Sequence, residues 1–171
     1  RDFSKWLDPV KAYAYQHFIL IQCIHDTLLH LDEAGNISSE LVRSWKVSNS
    51  RLKYTFKLNT EAKFHNGDNI TVEDVIFSIS RHMWKKNDSI VRIYLEPIQG
   101  YKSLKDGSSL DGIKIVDKET IEITLKRPTP SFLYILTMPS FSILSKKEAL
   151  AGNIVGSGRM ELKKEKTFLE I

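Results

Sequence analysis

The chain has 171 residues, of which 42% are hydrophobic and 27% are charged, and this balance is typical of a globular protein rather than a disordered one. The formal net charge of +4 comes from basic residues dispersed along the chain, which argues against the concentrated basic face of a nucleic-acid-binding protein. The one cysteine, Cys23, cannot form an internal disulfide, and its apolar neighbours predict a small buried side chain and no catalytic thiol.

The first part of the chain predicts an irregular segment followed by one long helix. Residues 1–13 carry a turn signal at Leu7-Asp8-Pro9. From Tyr15 to Leu31 the sequence has helical periodicity, and its additional apolar residues indicate burial on most sides. The repeating positions are Leu20, Ile24, Leu28 and Leu31. The stretch Asp32–Asn36 then predicts a turn.

The middle of the chain predicts a strand and a well-capped helix. Apolar and polar residues alternate from Leu52 to Leu58, as they do in a half-buried strand. Thr71 and Asp74 form a capping-box-like pair at a helix start, with Ile70 and Val75 as a hydrophobic staple around it. Two lysines are expected to end this helix, where its dipole favours cations. The predicted buried face and these lysines are Val72, Ile76, Ile79, Met83, Lys85 and Lys86.

Further along, the sequence predicts short helices and a hairpin. A short helix is expected near Ile90–Leu95. The sequence also predicts a β-hairpin with strands at Ile113–Val116 and Thr120–Leu125. The residues expected to face inward are Ile113, Ile115, Ile121, Ile123 and Leu125. A short helix over Ser131–Met138 stops before Pro139. Ser145 and Glu148 form a second capping-box pair, for a helix that ends near Gly152. Gly156–Gly158 then leads into a final strand that reaches Ile171, and the sum is an α+β unit with a mixed sheet and packed helices.

Eight short segments follow one another in an order that carries a family resemblance. They are Leu7-Asp-Pro9, His25–Asp32, Leu41–Ser48, Tyr54–Leu58, Lys63–Gly67 with Thr71–Val75, Val116–Ile121, Leu125–Pro130 and Val155–Gly158. In this order they resemble family five of the bacterial extracellular solute-binding proteins, the oligopeptide-, dipeptide- and nickel-binding receptors of ABC importers. Arg159 and Met160 depart from the family pattern, which has proline and an aromatic residue there.

The resemblance implies a two-lobed clamshell, the periplasmic-binding-protein type II fold, with the solute held between the lobes. Residues 1–36 would begin lobe I, residues 37–152 would form its small α+β subdomain, and residues 153–171 would return to lobe I. The second lobe would be missing, so the sequence is expected to be a trimmed or shortened relative. Without that lobe, the chain alone is expected to bind solute weakly or not at all.

The resemblance also implies which residues contact the solute. The loop after Leu7-Asp-Pro9 matches a family contact loop, which implies a ligand surface at Tyr13, Ala14 and Tyr15, with rings for packing and hydroxyls for hydrogen bonds. The alternative is that these residues only cover the start of the following helix. A second contact loop, after the helix that starts at Thr71, matches roughly Ser89 to Arg92, and the family's contacting aromatic residue falls near Val91. Arg92 could pair with a ligand carboxylate, or it could be an ordinary surface arginine.

The function implied is that of a non-catalytic substrate-binding subunit for peptides or similar small solutes. It would act in the periplasm or on the outer face of the cytoplasmic membrane, with or without a lipid anchor, and it would have a membrane permease and no nucleic acid as partner. The alternative is a solute-sensing domain of a transcriptional regulator. No cofactor or metal is predicted, because the five histidines form no zinc-binding motif and the glycines form no phosphate-binding loop.

Overall fold

The computed structural model of the chain describes residues 6–103 and 105–162. The α-helices in this part are α1 (Tyr15–Ile24), α2 (Val72–Ser80), α3 (Phe132–Ile135) and α4 (Lys146–Leu150). The strands are β1 (Leu29–Leu31), β2 (Ile37–Ser39), β3 (Val42–Val47), β4 (Lys53–Leu58), β5 (Ile113–Asp117) and β6 (Thr120–Thr124). Short 3-10 helices cover Pro9–Lys11, Arg81–Met83, Lys85–Asn87, Arg92–Leu95, Tyr101–Ser103 and Pro139–Phe141.

The larger sheet has the strand order β3-β4-β6-β5, and β1 pairs with β2 in a separate two-stranded sheet. Every strand pair in the described ranges is antiparallel, so the predicted mixed sheet is not seen there, whereas the α+β class is confirmed. Phe56 lies opposite both Trp45 and Ile121, which places it at the centre of the larger sheet. Phe56 and Ile121 are fully buried and share the core with Val75 and Ile79 of α2.

The strand at Leu52–Leu58 and the hairpin are confirmed, with one difference in burial. Ile113, Ile121, Ile123 and Leu125 are all buried, as predicted. Ile115 pairs with Ile121 and therefore lies on the same face of the sheet, but it is 48% exposed. The reason is its position on β5, the edge strand, where less of the chain covers the sheet.

The predicted start of α2 is confirmed in detail. The Asp74 backbone N–H donates to Thr71 Oγ1 at 3.3 Å, and the Thr71 backbone N–H donates to Asp74 Oδ2 at 2.9 Å, which completes the capping box. The predicted end is wrong, because α2 stops at Ser80 and Lys85–Asn87 is a separate 3-10 turn. The Lys85 backbone N–H is satisfied outside the helix, by the Asp106 carboxylate at 2.6 Å.

The predicted helix from Tyr15 to Leu31 is too long. The helix ends at Ile24, His25 is extended, and Leu29–Leu31 is strand β1. Pairing with Ile37–Ser39 supplies these residues with backbone hydrogen bonds, and this tertiary partner overrides the helical period. The prediction of burial on most sides is also wrong within this chain, because Ile19 and Leu20 are 44% and 48% exposed.

The last predicted elements are partly confirmed. A short helix does lie within Ser131–Met138, as α3, and Ser145 does cap α4, with its Oγ 3.4 Å from the Glu148 backbone nitrogen. The Glu148 carboxylate instead accepts a hydrogen bond from Asn153, so the second capping box is half formed. Residues 159–162 are not in a strand, and the rest of the predicted final strand lies outside the described residues.

The segment Gly156–Met160 lies against the C-terminal end of α1. The Gly158 N–H donates to the Ile24 carbonyl at 2.8 Å, and the Met160 N–H donates to the Cys23 carbonyl at 2.9 Å. Gly156 needs to be glycine, because a Cβ there would lie only 1.9 Å from the Ile24 oxygen. The two glycines therefore allow a close backbone approach that joins the beginning and the end of the described chain.

Candidate functional site

Two exposed tyrosines lie at the N-terminal end of α1, Tyr13 in the preceding loop and Tyr15 as the first residue of the helix. Tyr13 is 59% exposed and Tyr15 is 74% exposed, whereas Ala14 is half-buried and serves as the N-cap of α1 without a side-chain hydrogen bond. Exposed rings of this size are favourable contact surface for an organic ligand, because they present apolar faces and a hydroxyl at low entropic cost. The structure therefore places these predicted site residues where a ligand can reach them.

Neighbouring rings hold Tyr13 in place. Its ring meets Trp6 edge-on with centroids 5.3 Å apart, and it meets His17 edge-on at 4.8 Å. Trp6 and His17 stack on each other at 4.9 Å. Such aromatic pairs stabilise a fixed arrangement by ~0.5–1.5 kcal/mol each. Sequence reasoning missed this trio, because Trp6 and His17 lie on either side of the loop and belong to no common motif.

A buried ion pair anchors the same loop to the core. The two terminal guanidinium nitrogens of Arg81, Nη1 and Nη2, each lie 2.7 Å from an Asp8 carboxylate oxygen, and the two side chains are only 11% and 10% exposed. The Asp8 carboxylate also accepts from the Val10 backbone N–H at 3.1 Å, so it holds the turn that the sequence predicted. The bidentate geometry fixes both distance and orientation, which makes Asp8 a rigid attachment point for the loop.

His82, the residue that follows Arg81 in the chain, anchors the second predicted contact loop. Its Nδ1 lies 2.7 Å from Ser89 Oγ, and both residues are buried. Complete burial, followed by the nearby Arg81 charge, lowers the pKa of His82 to about 3. The ring is therefore neutral near pH 7 and acts as a hydrogen-bonding strut, not as a charged group.

The two predicted residues of this loop differ in exposure. Val91 is 5% exposed and its side chain belongs to the core. Arg92 is exposed, and its closest ionic neighbour is Asp88, with a 4.0 Å separation between nitrogen and oxygen. That separation is long for an ion pair at the surface and stabilises little, so Arg92 remains available to a ligand.

Arg81 and His82 bring the two predicted loops to the same end of α2. Among the described residues, hydrogen bonds, ion pairs and ring contacts do not join Tyr13 directly to Arg92. The loops meet instead through these two adjacent residues, each of which holds one loop. Arg81 and His82 therefore set the positions of both candidate contact surfaces.

A groove of about 750 Å³ opens at the other end of α1. His25, Asp26, Glu40, Ser142 and Arg159 contribute to its walls. Burial, with a further contribution from the Asp26 charge, raises the pKa of Glu40. Sequence reasoning assigned no role to this groove, because its walls come from segments more than a hundred residues apart.

The histidines are structural groups or groove residues in the part of the chain that is described. No cluster of three or more metal-ligating side chains occurs among those residues. His65 places Nε2 2.6 Å from the Gly158 carbonyl oxygen, 93 residues away. None of the described helices has both the length and the hydropathy needed to cross a lipid bilayer.

Comparison with solved structures defines the class of protein. The chain superimposes on the Escherichia coli murein tripeptide-binding protein MppA with a TM-score of 0.83 and 28% identity, covering 93% of this chain and 33% of that one. It superimposes on peptide-bound OppA of Listeria monocytogenes with a TM-score of 0.84 and 25% identity, covering 92% and 34%. The fold is therefore part of a lobe of the periplasmic-binding-protein clamshell.

Sequence comparison then gives the family. The profile described as bacterial extracellular solute-binding proteins, family 5 middle, matches residues 36–167, and the chain belongs to this family. The dipeptide-binding protein of Lactococcus lactis subsp. cremoris is 32% identical over 72% of this chain and 23% of its own length. The periplasmic oligopeptide-binding protein OppA of Escherichia coli is 29% identical over 92% and 31%. The chain thus spans about a third or less of the length of these relatives.

Proposed function

We propose that this chain provides one side of a peptide-binding cleft in the solute receptor of an ABC importer. The observation that carries the proposal is the exposed pair Tyr13 and Tyr15 at the start of α1, where the buried Asp8–Arg81 ion pair fixes the preceding loop to the core. A binding surface must be both accessible and preorganised, because ordering a loose loop on binding would reduce affinity. This loop meets both conditions.

The names of the relatives support peptides as the class of solute. The Escherichia coli and Lactococcus lactis proteins are described as oligopeptide-binding and dipeptide-binding, and the Listeria structure contains a bound peptide. None of the relatives named here is described as a transcriptional regulator, so the sensor alternative gains no support. In our proposal the chain acts outside the cytoplasmic membrane and presents its loaded form to a membrane permease.

The proposed binding mode uses each predicted residue in a different way. Tyr13 and Tyr15 pack on the peptide with their rings, and Ala14 leaves room for the peptide backbone beside them. Arg92 pairs with a carboxylate of the peptide, in the bidentate manner that guanidinium groups favour. Val91 supports Arg92 from the core side and makes no polar contact of its own.

In the proposed binding mode, affinity arises when a second protein surface closes over the peptide. Two surfaces that close on a ligand exclude water and bury most of its area, which one open surface cannot do. We therefore assign residues 1–36 to the start of lobe I, 37–152 to its small subdomain and 153–171 to the return into lobe I. No bond chemistry is required of any residue in this scheme.

The test is calorimetric titration with tri-alanine and tri-lysine of the protein that the complete reading frame encodes. We expect micromolar binding of at least one peptide and a loss of about tenfold or more in the Tyr13→Ala/Tyr15→Ala variant. Tyr134→Ala is the matched control, because Tyr134 is 50% exposed but lies on α3, outside both loops. Equal affinities for the double variant and the control would contradict the proposed surface.

The same titration on the 171 residues alone tests the two-sided mechanism. We expect at most millimolar binding, because only one surface contributes to desolvation of the peptide. Micromolar binding to these residues alone would contradict the need for a second surface.

A further inference from the structure

The segment Ser89–Leu95 presents three large apolar side chains to solvent. Ile90 is 59% exposed, Ile93 is 61% exposed and Tyr94 is 44% exposed. Single exposed apolar side chains are common on proteins, but three of them so close together in the chain form a patch of the kind that marks binding surfaces. The binding mode proposed above does not use these three residues, which are called the apolar patch below.

The turn that carries the patch aligns its two isoleucines. The Arg92 N–H donates to the Ser89 carbonyl at 3.3 Å, and a 3-10 helix begins at Arg92. Side chains three residues apart lie one above the other in this conformation, so Ile90 and Ile93 share one side of the segment. The two isoleucines therefore form one continuous apolar surface.

Buried neighbours hold the patch in a fixed position. Val91 and Leu95 are 5% and 0% exposed and belong to the core, so the backbone on both sides of Ile93 is anchored. The buried hydrogen bond between His82 and Ser89, 2.7 Å long, anchors the start of the segment. A ligand that binds this surface therefore does not have to order it first, which favours affinity.

The Arg92 guanidinium lies beside the patch. Its Nη1 is 4.0 Å from Asp88 Oδ1, so the side chain is directed back along the turn Ser89–Arg92. Ile90 is the second residue of that turn and is exposed. The first and last Cα atoms of such a turn are less than about 7 Å apart, so a carboxylate paired with Arg92 has apolar surface next to it.

We propose that this segment selects peptides with an apolar C-terminal residue, an inference that rests on the function proposed above. The carboxylate and the side chain of a C-terminal residue are attached to the same α-carbon. When Arg92 pairs with the carboxylate, a leucine or phenylalanine side chain at that position is held close to Ile90 and Ile93 and buries apolar surface against them. A lysine side chain there brings a second positive charge toward Arg92 and is disfavoured.

A second protein surface that closes over the peptide is the alternative partner of the patch. Such a surface would contact the patch whichever peptide is bound, so it would give no preference between C-terminal residues. The observation that favours the peptide is the guanidinium of Arg92 beside the apolar side chains, because a C-terminal residue combines an anion with an apolar group. The two partners therefore predict a different dependence of affinity on the peptide sequence.

The test is calorimetric titration of the protein that the complete reading frame encodes, with tripeptides that differ at one end. Ala-Ala-Leu, Ala-Ala-Ala and Ala-Ala-Lys vary the C-terminal side chain, and Leu-Ala-Ala moves the leucine to the other end. We expect Ala-Ala-Leu to bind about tenfold more tightly than Ala-Ala-Ala, and Ala-Ala-Lys to bind no more tightly than Ala-Ala-Ala. Amidation of Ala-Ala-Leu should weaken its binding by about tenfold, because it removes the charge that Arg92 pairs with.

A double variant and a matched control connect this preference to the patch. In Ile90→Ser/Ile93→Ser the ratio of the Ala-Ala-Leu and Ala-Ala-Ala affinities should fall from about ten to about one, whereas the ratio for Leu-Ala-Ala and Ala-Ala-Ala should not change. Val116→Ser is the control, because Val116 is 59% exposed but lies on β5, outside both loops. This control should keep the ratio of about ten for the leucine at the C-terminus.

Two results would overturn the inference while leaving the proposed function intact. One is a wild-type affinity ratio near one for Ala-Ala-Leu and Ala-Ala-Ala. The other is an equal loss of affinity for these two peptides in the double variant, which would assign the patch to the second protein surface. Absence of binding for every tripeptide would instead refute the proposed function, and this inference with it.

Discussion

The ion pair between Asp8 and Arg81 gives the sharpest test of how the tyrosine loop is held. We predict that Arg81→Met destabilises the fold strongly, because it leaves the Asp8 carboxylate buried with the Val10 N–H as its one remaining hydrogen-bond donor among the described residues. The double variant Asp8→Asn/Arg81→Met should be more stable than the single one. In that double variant no charge is left without a partner, and the asparagine oxygen still accepts from Val10.

The magnitude follows from the burial of the pair. Removing one partner of a buried pair typically costs 3–5 kcal/mol, and the two side chains here are 11% and 10% exposed. The remaining hydrogen bond to Val10 places the expected loss near the lower limit, at about 3 kcal/mol. The surface pair Arg43–Glu119 is the matched comparison, because its oppositely charged atoms are 2.6 Å apart but its side chains are 44% and 21% exposed. Arg43→Met should therefore cost less than about 1 kcal/mol.

Urea unfolding followed by tryptophan fluorescence measures these differences directly. The free energies come from linear extrapolation, and unchanged m-values show that the denatured states are comparable. The expected order of stability is wild type, then Arg43→Met, then the double variant, then Arg81→Met. A loss for Arg81→Met no larger than that for Arg43→Met would refute the view that this ion pair anchors the loop.

Three further predictions concern pH, packing and capping. Burial lowers the pKa of His82 in the folded chain to about 3 from its ordinary value of 6.5, so the unfolded chain binds more protons between these two pH values. The free energy of unfolding should therefore fall as the pH drops from about 6.5 towards 3. Equal urea midpoints at pH 7 and pH 5 would contradict this prediction. Gly156→Ala should cost about 2 kcal/mol or more in thermal or urea unfolding, because its Cβ would lie 1.9 Å from the Ile24 oxygen, and a wild-type midpoint would show that the backbone yields. Thr71→Ala should lower the free energy of unfolding in urea by about 1 kcal/mol, because the N-cap of α2 is lost. Thr71→Ser should keep most of the stability that the cap contributes, and equal losses for the two variants would argue against the cap.

The elements that the sequence predicted well are those specified by local signals. The alternation in Leu52–Leu58 and the cap at Thr71 act within a few residues, and both appear in the structure as predicted. The end of α1 was predicted wrongly because Leu29–Leu31 keeps a helical spacing while its backbone pairs with Ile37–Ser39. Exposure of Ile115 depends on its strand lying at the sheet edge, which no local pattern reveals.

The family resemblance indicated the positions of the candidate site residues, but no sequence pattern predicted the interactions that hold them in place. Nothing near Asp8 in the sequence indicates that Arg81, 73 residues later, completes its ion pair. Similarly, the groove depends on Ser142 lying beside His25, which follows from the sheet and loop topology. His25 likewise takes its place from the fold, because its Nε2 lies 3.1 Å from the Leu7 carbonyl oxygen, 18 residues earlier in the chain.

The contact of Gly156–Met160 with the end of α1 determines when during synthesis this helix can complete its contacts. Asp26 and Ser157 are joined by a hydrogen bond although 131 residues separate them, so loop closure over most of the chain must precede it. During translation, α1 leaves the ribosome well before Gly156–Met160, so it cannot acquire these partners until more than a hundred further residues have been made. Until the rest of the fold covers them, Ile21 and Ile24, the apolar side chains of α1 that the structure buries, are exposed to any chaperone or export factor that binds nascent chains.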